Sequence, residues 1–166
     1  MRVDLHNHTE LCNHAVGTTK EYVEKAISVG IDVYGFSDHA PMNFDPKYRM
    51  DISRKNDYEN DILSLKKIYK DDIEILLGYE VDFMQDRNLM LDSILNANVD
   101  YLIGSVHFIQ EKNESLWGFD NPEFIGKYKE KNIDDIWCDY FSAIQALAKT
   151  RYFDIVGHLD LIKVFK

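Results

Sequence analysis

The segment Ile73-Glu74-Ile75-Leu76-Leu77-Gly78-Tyr79-Glu80 is a short apolar run that ends in a carboxylate. A second apolar run, Tyr101-Leu102-Ile103-Gly104, leads on to His107. Nearly continuous apolar runs of this length are typical of strands that are covered on both faces, as in a parallel sheet. Helical patterns separate the runs, and this alternation predicts βαβ units around a parallel sheet.

The alternation gives five strands and four helices. The strands are expected at residues 2–5, 33–37, 74–79, 101–106 and 153–157. The helices are expected from Thr18 or Thr19 to Gly30, then over 56–69, 89–95 and 133–148, with a long loop from 107 to about 132. Since no G-x-G-x-x-G fingerprint follows a strand, a barrel is favoured over a dinucleotide-binding fold.

Composition narrows the class of protein. The 166 residues suit one domain over 1–166, and a hydrophobic fraction of 45% is enough for a packed core. The net charge of −10 comes without a cluster of Lys and Arg, so no nucleic-acid partner is expected. Because no stretch approaches the roughly 20 apolar residues of a membrane helix and no apolar signal core begins the chain, we expect a cytoplasmic protein.

All six histidines and one glutamate follow predicted strands, either directly or in the loop that comes next: His6, His8, His14, His39, Glu80, His107 and His158. The carboxyl ends of parallel barrel strands converge on one face, where the active sites of such barrels lie. Imidazole and carboxylate are the ligands of Zn, Fe or Mn. For a single histidine, a structural role is a simpler explanation than metal binding. Structural roles for all seven residues at once would be an unlikely coincidence. His6 and His8 also point to the same side of an extended strand, so both can reach one ion.

Two aspartates near this set have two readings each. Asp38 precedes His39, and Asp160 follows His158 by two residues. Each carboxylate can orient a ligand imidazole from outside the metal sphere. A role in a turn or a helix cap is the alternative.

The two cysteines lie far apart and lack a CxxC context, so no disulfide is expected in the cytoplasm. Cys138 shares a helical pattern with Trp137 and Phe141, which indicates core packing. Cys12 lies among the histidines, where contact with a metal is open beside the core packing that free cysteine usually has.

Five short motifs resemble those of the polymerase-and-histidinol-phosphatase (PHP) superfamily: His6-Asn7-His8-Thr9 with His14, Ser37-Asp38-His39-Ala40, Gly78-Tyr79-Glu80, Ser105-Val106-His107 and Gly157-His158. The surrounding residues are similar to its histidinol-phosphate phosphatase branch, over 36–42, 77–82, 103–108 and 153–160. The resemblance covers nearly the whole chain. It implies an α/β fold, a distorted TIM-like βα barrel of about seven strands.

The resemblance also implies up to three divalent ions of Zn, Fe or Mn. The implied ligand groups are His6, His8 and Glu80; then Glu80, His107 and His158; then His14 with His39. Glu80 would therefore bridge the first two ions.

The C-terminal end departs from the family pattern. The family has a further Asp-x-His motif there, which supplies one ligand to the first ion and one to the third, and this sequence lacks it. The last residues, Leu161-Ile162-Lys163-Val164-Phe165-Lys166, are apolar and β-branched, with no Gly or Pro stop. We expect a barrel truncated to about five βα units, with two open sheet edges. A natural short form that closes its sheet as a homo-oligomer is the alternative.

The implied activity is metal-dependent phosphomonoester hydrolysis. The branch resemblance indicates L-histidinol phosphate as the substrate, in histidine biosynthesis, attacked by a hydroxide that bridges two ions. Catalytic roles are expected for Glu80, His107, Asp38 and Arg49, the last as a bidentate phosphate clamp unless it forms a surface salt bridge. The aromatic segment 116–122 either covers the substrate or packs as a small core.

Two other functions stay open. One is a phosphoesterase that acts on a nucleotide or a nucleic-acid end, although the acidic charge argues against a polynucleotide. The other is an inactive, incomplete metal-binding domain that serves as an interaction module.

Overall fold

In the computed structural model, residues 1–109 and 116–165 are described. This part of the chain has seven strands: β1 (Val3–Asp4), β2 (Val33–His39), β3 (Glu74–Asp82), β4 (Tyr101–Ser105), β5 (Phe108–Ile109), β6 (Trp117–Gly118) and β7 (Ile155–Val156). Five of them form one parallel sheet in the order β1-β2-β3-β4-β7, and β5 and β6 pair as an antiparallel ribbon. The sheet is curled like half of a barrel, which confirms the predicted α/β fold.

Helices connect the sheet strands: α1 (Thr19–Ser28), α2 (Lys55–Ile68), α3 (Asp92–Leu95) and α4 (Ile133–Thr150). Thr18 and Glu21 form a capping box that satisfies the first free N–H groups of α1. Gly30, at φ 74°, lies just beyond the end of that helix, where the left-handed backbone favours glycine. The expected positions of α1, α2 and α4 are thereby confirmed.

The apolar core has two parts, which are built from different helices. α1 and α2 contribute Val23, Tyr58 and Ile62 to the first part. α4 and the β5–β6 ribbon contribute Tyr140 and Trp117 to the second. Since every residue of β2 is buried, the strand is covered on both faces, as its sequence predicted.

The Tyr101 side chain reaches from β4 across β3 and β2. The Tyr101 hydroxyl donates to the Leu5 carbonyl at 2.7 Å and to the Phe36 carbonyl at 3.1 Å. A Cβ atom at Gly78 would lie 2.6 Å from the Tyr101 ring, and one at Gly35 would lie 2.3 Å from its hydroxyl. Both glycines therefore leave the space that Tyr101 occupies beneath the carboxyl ends of the strands.

Three expectations of local structure are wrong. The stretch predicted as a helix over 89–95 is a 3₁₀ turn, Arg87–Leu89, followed by the short α3, because the Asp86 side chain caps the turn and Leu91 is extended. The predicted long loop holds β5, β6 and the 3₁₀ helix Pro122–Glu130, which starts with an Asn121 cap and a proline. Cys138 is exposed, because α4 buries its opposite face.

The predicted sheet edges are present in the described residues, where β1 and β7 each have one neighbour. The expectation that 1–166 is an incomplete domain stays a prediction. No helix in the described ranges has the length and apolarity to cross a membrane.

Candidate metal centre

The carboxyl ends of the sheet strands bring the predicted residues together. Parallel register places His39, the last residue of β2, beside Glu80 of β3. β1, β4 and β7 lead into the loops that carry the remaining histidines. The result is one cluster at the carboxyl edge of the sheet, called here the histidine cluster: His6, His8, His14, His39, His107 and His158 around Glu80.

The Glu80 carboxylate is the centre of the cluster and is only 1% exposed. Its Oε2 lies 3.0 Å from Nε2 of His6, 3.3 Å from Nε2 of His8 and 3.4 Å from Nδ1 of His39. This oxygen faces the histidines of the first two strands.

The other oxygen faces the opposite half of the sheet. Oε1 of Glu80 lies 2.9 Å from Nε2 of His158 and 3.6 Å from Nε2 of His107. Burial disfavours the charged carboxylate, but the imidazoles of His107, His158 and His6 hold the pKa of Glu80 well below its usual range. One ionised carboxylate therefore presents a different oxygen to each of two histidine groups.

His14 completes the cluster on the outer side. Its ring centroid lies 4.6 Å from that of His39 and 5.5 Å from that of His8. Burial and the neighbouring His8 lower the pKa of His14, so its imidazole is held in the neutral form that binds metals. The structure thus brings all seven predicted ligands together.

The donor atoms of this cluster suit divalent cations. Among the described residues, the ion-pair partners of Glu80 are all imidazoles. His107 already donates from Nδ1 to Asp82, so in its neutral form this ring turns the lone pair of Nε2 toward Glu80. Nδ1 of His39 and Nδ1 of His158 are also buried without a hydrogen-bond partner in this part of the chain. A cation between His39 and Oε2 of Glu80 would satisfy the first of these nitrogens, whereas His158 faces Glu80 with its other nitrogen, Nε2.

The spatial grouping of the donor atoms differs from the one the motifs implied. Sets of three donor atoms that lie within 4.8 Å of one another are His6, Glu80 and His158; His8, His39 and Glu80; His39, Asp82 and His107; and His8, Cys12 and Asp38. Glu80 belongs to two of them. The assignment of each histidine to a particular ion therefore stays a prediction.

Asp38 lies beside His8 and not beside its sequence neighbour His39. Its carboxylate accepts hydrogen bonds from the backbone N–H and the hydroxyl of Thr9 and from the thiol of Cys12 at 3.5 Å. Its Oδ1 is 4.0 Å from Nδ1 of His8. Asp38 thus fixes the loop that carries His8. Burial raises the pKa of Cys12 to about 12, so this thiol is uncharged.

Asp160 and Arg49 have different surroundings. The Asp160 carboxylate is largely exposed and accepts from Lys163 at 3.2 Å, which fits the turn role. The Arg49 side chain is 4% exposed, so the surface salt bridge considered for it is wrong. Its Nη2 lies 2.9 Å from Oδ2 of Asp82 and 3.6 Å from Oδ2 of Asp45.

Asp82 is the site residue that the sequence reasoning missed. It is fully buried, and its Oδ1 accepts a hydrogen bond from Nδ1 of His107 at 2.6 Å. The signal was present, because Asp82 follows Glu80 by two residues on one strand and therefore points to the same face. Burial disfavours the charge, but the Asp82 and Glu80 carboxylates raise the pKa of His107 to about 9.

A cavity of about 480 Å³ opens beside the histidine cluster. Its lining includes His14, His39, His107, Arg49, Asp45, Asp120, Phe44, Phe108, Leu116 and Phe124. The segment 116–122 packs as a core, which was one of its two expected roles, and also lines the cavity; a role in covering the substrate stays a prediction. Trp117 and Phe119 are buried in the second core, while Leu116 and Asp120 face the cavity. Residues 110–115 of the predicted long loop lie outside the described residues.

A curled parallel sheet with histidines at its carboxyl edge defines the class of protein. The chain belongs to the PHP domain family, whose profile matches residues 4–166. It is 36% identical over 165 residues to a probable histidinol-phosphatase of Deinococcus radiodurans, and the match covers 98% of this chain and 62% of that protein. It is 32% identical over 183 residues to the histidinol-phosphatase of Bacillus subtilis, which covers 98% of this chain and 67% of that protein.

Solved structures share the fold. A Listeria monocytogenes protein matches with a TM-score of 0.84 at 23% identity, over 97% of this chain and 68% of its own. The histidinol phosphate phosphatase of Lactococcus lactis, complexed with Zn, L-histidinol and phosphate, matches with a TM-score of 0.74 at 22% identity. That match covers 97% of this chain and 59% of the Lactococcus chain. The chain thus spans about three-fifths of several of its relatives.

Proposed function

We propose that this chain carries the metal centre of a phosphomonoester hydrolase that acts on L-histidinol phosphate. The observation that supports this most directly is the buried Glu80 carboxylate, whose two oxygens face two different histidine groups. A carboxylate that faces two groups of imidazoles could hold two divalent ions close together, as two-metal phosphoesterases do. The relatives from Deinococcus and Bacillus point to the same substrate.

The proposed ligands are the seven members of the histidine cluster. Zn is the first choice because the Lactococcus structure contains it, and Fe or Mn would suit the same donors. Divalent ions bound there would supply a water of lowered pKa and neutralise charge on the phosphoryl oxygens. The chain's own part is to hold Glu80 ionised and to turn imidazole nitrogens toward both of its oxygens, so that both kinds of group can bind cations.

The cavity suits a phosphomonoester with an amine and a flat ring. Arg49 lines the cavity together with His14, His39 and His107, and these groups would hold an anion; the Arg49 guanidinium lies 5.3 Å from the centre of the Phe108 ring. Aromatic and other apolar side chains, among them Phe44, Phe108 and Phe124, also line the cavity, together with the carboxylates of Asp45 and Asp120. We infer that the aromatic wall packs on the imidazole of the substrate and that Asp120 pairs with its ammonium group.

One assay tests the substrate and the metal together. Phosphate release is measured from L-histidinol phosphate, from a nucleoside monophosphate and from a 5′-phosphorylated oligonucleotide, with metal content determined on the same sample. We expect at least one ion per chain and the highest kcat/KM for histidinol phosphate. A preference for either nucleotide substrate would replace the proposed substrate. Bound metal without turnover of any ester would favour a non-catalytic domain.

The Asp120→Asn variant tests the amine contact. We expect KM for histidinol phosphate to rise about tenfold while KM for an amine-free phosphomonoester stays unchanged, because one charge-assisted pair is lost. The matched control is Asp71→Asn, since the Asp71 side chain is highly exposed and Asp71 is not among the residues that line the cavity. An equal rise for both esters would show that Asp120 does not contact the amine.

A further inference from the structure

The Asp82 carboxylate joins the histidine cluster to the wall of the cavity. Oδ1 accepts from Nδ1 of His107 at 2.6 Å, and Oδ2 lies 2.9 Å from Nη2 of Arg49. His107 turns its other nitrogen, Nε2, toward Oε1 of Glu80 at 3.6 Å. The three groups therefore form a chain from the centre of the cluster to the edge of the cavity.

Burial makes this arrangement demanding. Asp82 has no exposed surface, and a buried carboxylate is unfavourable unless charged or polar groups compensate it. Arg49 supplies the positive charge, and it holds the pKa of Asp82 at about 2 against the effect of burial, together with His107. Each oxygen of Asp82 thus has its own partner, His107 at Oδ1 and Arg49 at Oδ2.

The geometry also argues against Asp82 as a metal ligand. Its donor atom lies within 4.8 Å of donor atoms of His39 and His107, which is close enough for a shared ion. However, one oxygen is engaged by an imidazole N–H and the other lies against a guanidinium. A divalent cation at Oδ2 would stand beside Arg49, and like charges at that distance repel.

We propose that Asp82 is a positioning residue with two tasks. Its Oδ1 fixes the proton of His107 on Nδ1, so that the lone pair of Nε2 faces Glu80 and is available to an ion. Its Oδ2 holds Arg49 in the cavity wall, where the guanidinium also meets the Phe108 ring. A carboxylate that accepts from a metal-binding histidine sets both the tautomer and the direction of the ring. This inference rests on the proposed metal centre but not on the identity of the substrate.

The Asp82→Asn variant tests the first task through zinc binding, without an activity assay. Zinc affinity is measured by competition with a chelating indicator for the wild-type chain, Asp82→Asn, His107→Ala and the double variant. We expect Asp82→Asn to weaken the His107-dependent ion about 10- to 100-fold, the usual range for such an outer contact, and to leave the other ion unchanged. In the His107→Ala background the same substitution should have no further effect.

The second task, holding Arg49 in the cavity wall, is tested by measuring KM and zinc affinity separately. Arg49→Lys keeps the charge near Asp82 but loses the planar fork, so we expect KM for the phosphoester to rise while zinc affinity stays at the wild-type value. Asp86→Asn is the matched control for Asp82→Asn, because Asp86 caps an exposed turn and is not among the residues that line the cavity.

Three results would overturn the proposal. If Asp82→Asn binds zinc with wild-type affinity, Asp82 does not act on the metal through His107. An additive loss in the double variant would show that Asp82 acts independently of His107. Equal weakening of both ions would indicate a general structural role. If Asp82→Asn does not fold, Asp82→Glu keeps the charge beside Arg49, displaces the oxygens by one methylene and is read by the same titration. Failure of histidinol phosphate as a substrate would leave these binding results intact.

Discussion

Glu80→Gln tests the bridging carboxylate directly. The substitution keeps the size of the side chain and removes its charge from the centre of five imidazoles. If each oxygen of Glu80 binds a different ion, both ions should lose a charged ligand at once. A change at any single histidine should instead affect mainly one of them.

The size of the effect follows from the charge and the burial of the side chain. At an effective dielectric constant near 20, opposite unit charges about 4 Å apart attract by about 4 kcal/mol. Because a tenfold change in affinity corresponds to about 1.4 kcal/mol, each ion should bind at least roughly a thousandfold more weakly. The exposure of only 1% at Glu80 means that water cannot replace much of the lost interaction.

Zinc titration with a chelating indicator measures this loss, and circular dichroism confirms the fold. Glu74→Gln is the matched control, because Glu74 begins the same strand and is exposed there. A variant that loses one ion and keeps the other at wild-type affinity would refute the bridging role. If the variant binds both ions with wild-type affinity, Glu80 is not a metal ligand.

Three further predictions concern stability and pH. Removal of metal with a chelator should lower the free energy of unfolding by about 2.7 kcal/mol when free zinc had stood at a hundred times its Kd, and re-addition of zinc should restore the melting temperature; an unchanged melting temperature would contradict tight binding. Tyr58→Phe removes a hydroxyl that donates to the Gly78 carbonyl at 2.9 Å and accepts from the Asp38 N–H at 3.3 Å, so urea unfolding should show a loss of about 1–3 kcal/mol, and no loss would mean that these groups find other partners. In the metal-free chain the pKa of His107 is raised to about 9, whereas its pKa in the unfolded chain is near 6.5. The protonated ring therefore stabilises the fold fully below pH 6.5, and this contribution is lost as pH rises through 9. The free energy of unfolding, measured between about pH 6 and 10, should show this decline, and Asp82→Asn should make it smaller.

The parts of the fold that the sequence predicted are those set by hydrophobic pattern alone. The runs that became β3 and β4 are too apolar for an exposed strand, and the pattern of α4 repeats with the helical period. The β5–β6 ribbon could not be predicted in the same way. Its two strands have two residues each, and their pairing of Phe108 with Gly118 joins parts of the chain that no local pattern relates.

The sequence predicted that the site residues lie at the carboxyl edge of the sheet, but it could not predict which side chains contact each other there. Strand order along the chain places every histidine at the carboxyl edge. Which carboxylate touches which imidazole depends on the register between neighbouring strands and on side-chain direction. The link from Asp82 to His107 crosses from β3 to the residue beyond β4, and it becomes visible only when those two strands are aligned.

The position of the two edge strands shows how the cluster and the curvature of the sheet depend on each other. Neighbouring strands are roughly 4.8 Å apart, so a flat sheet of five strands would separate β1 from β7 by roughly 19 Å. The ring centroids of His6, just beyond β1, and His158, just beyond β7, are nevertheless only 5.6 Å apart. Twist and curl must bring the two edges toward each other, and both rings must then reach inward to Glu80. Ions held between these histidines would therefore bind the two edges of the sheet together, and the energy of metal binding would stabilise the curvature that creates the site.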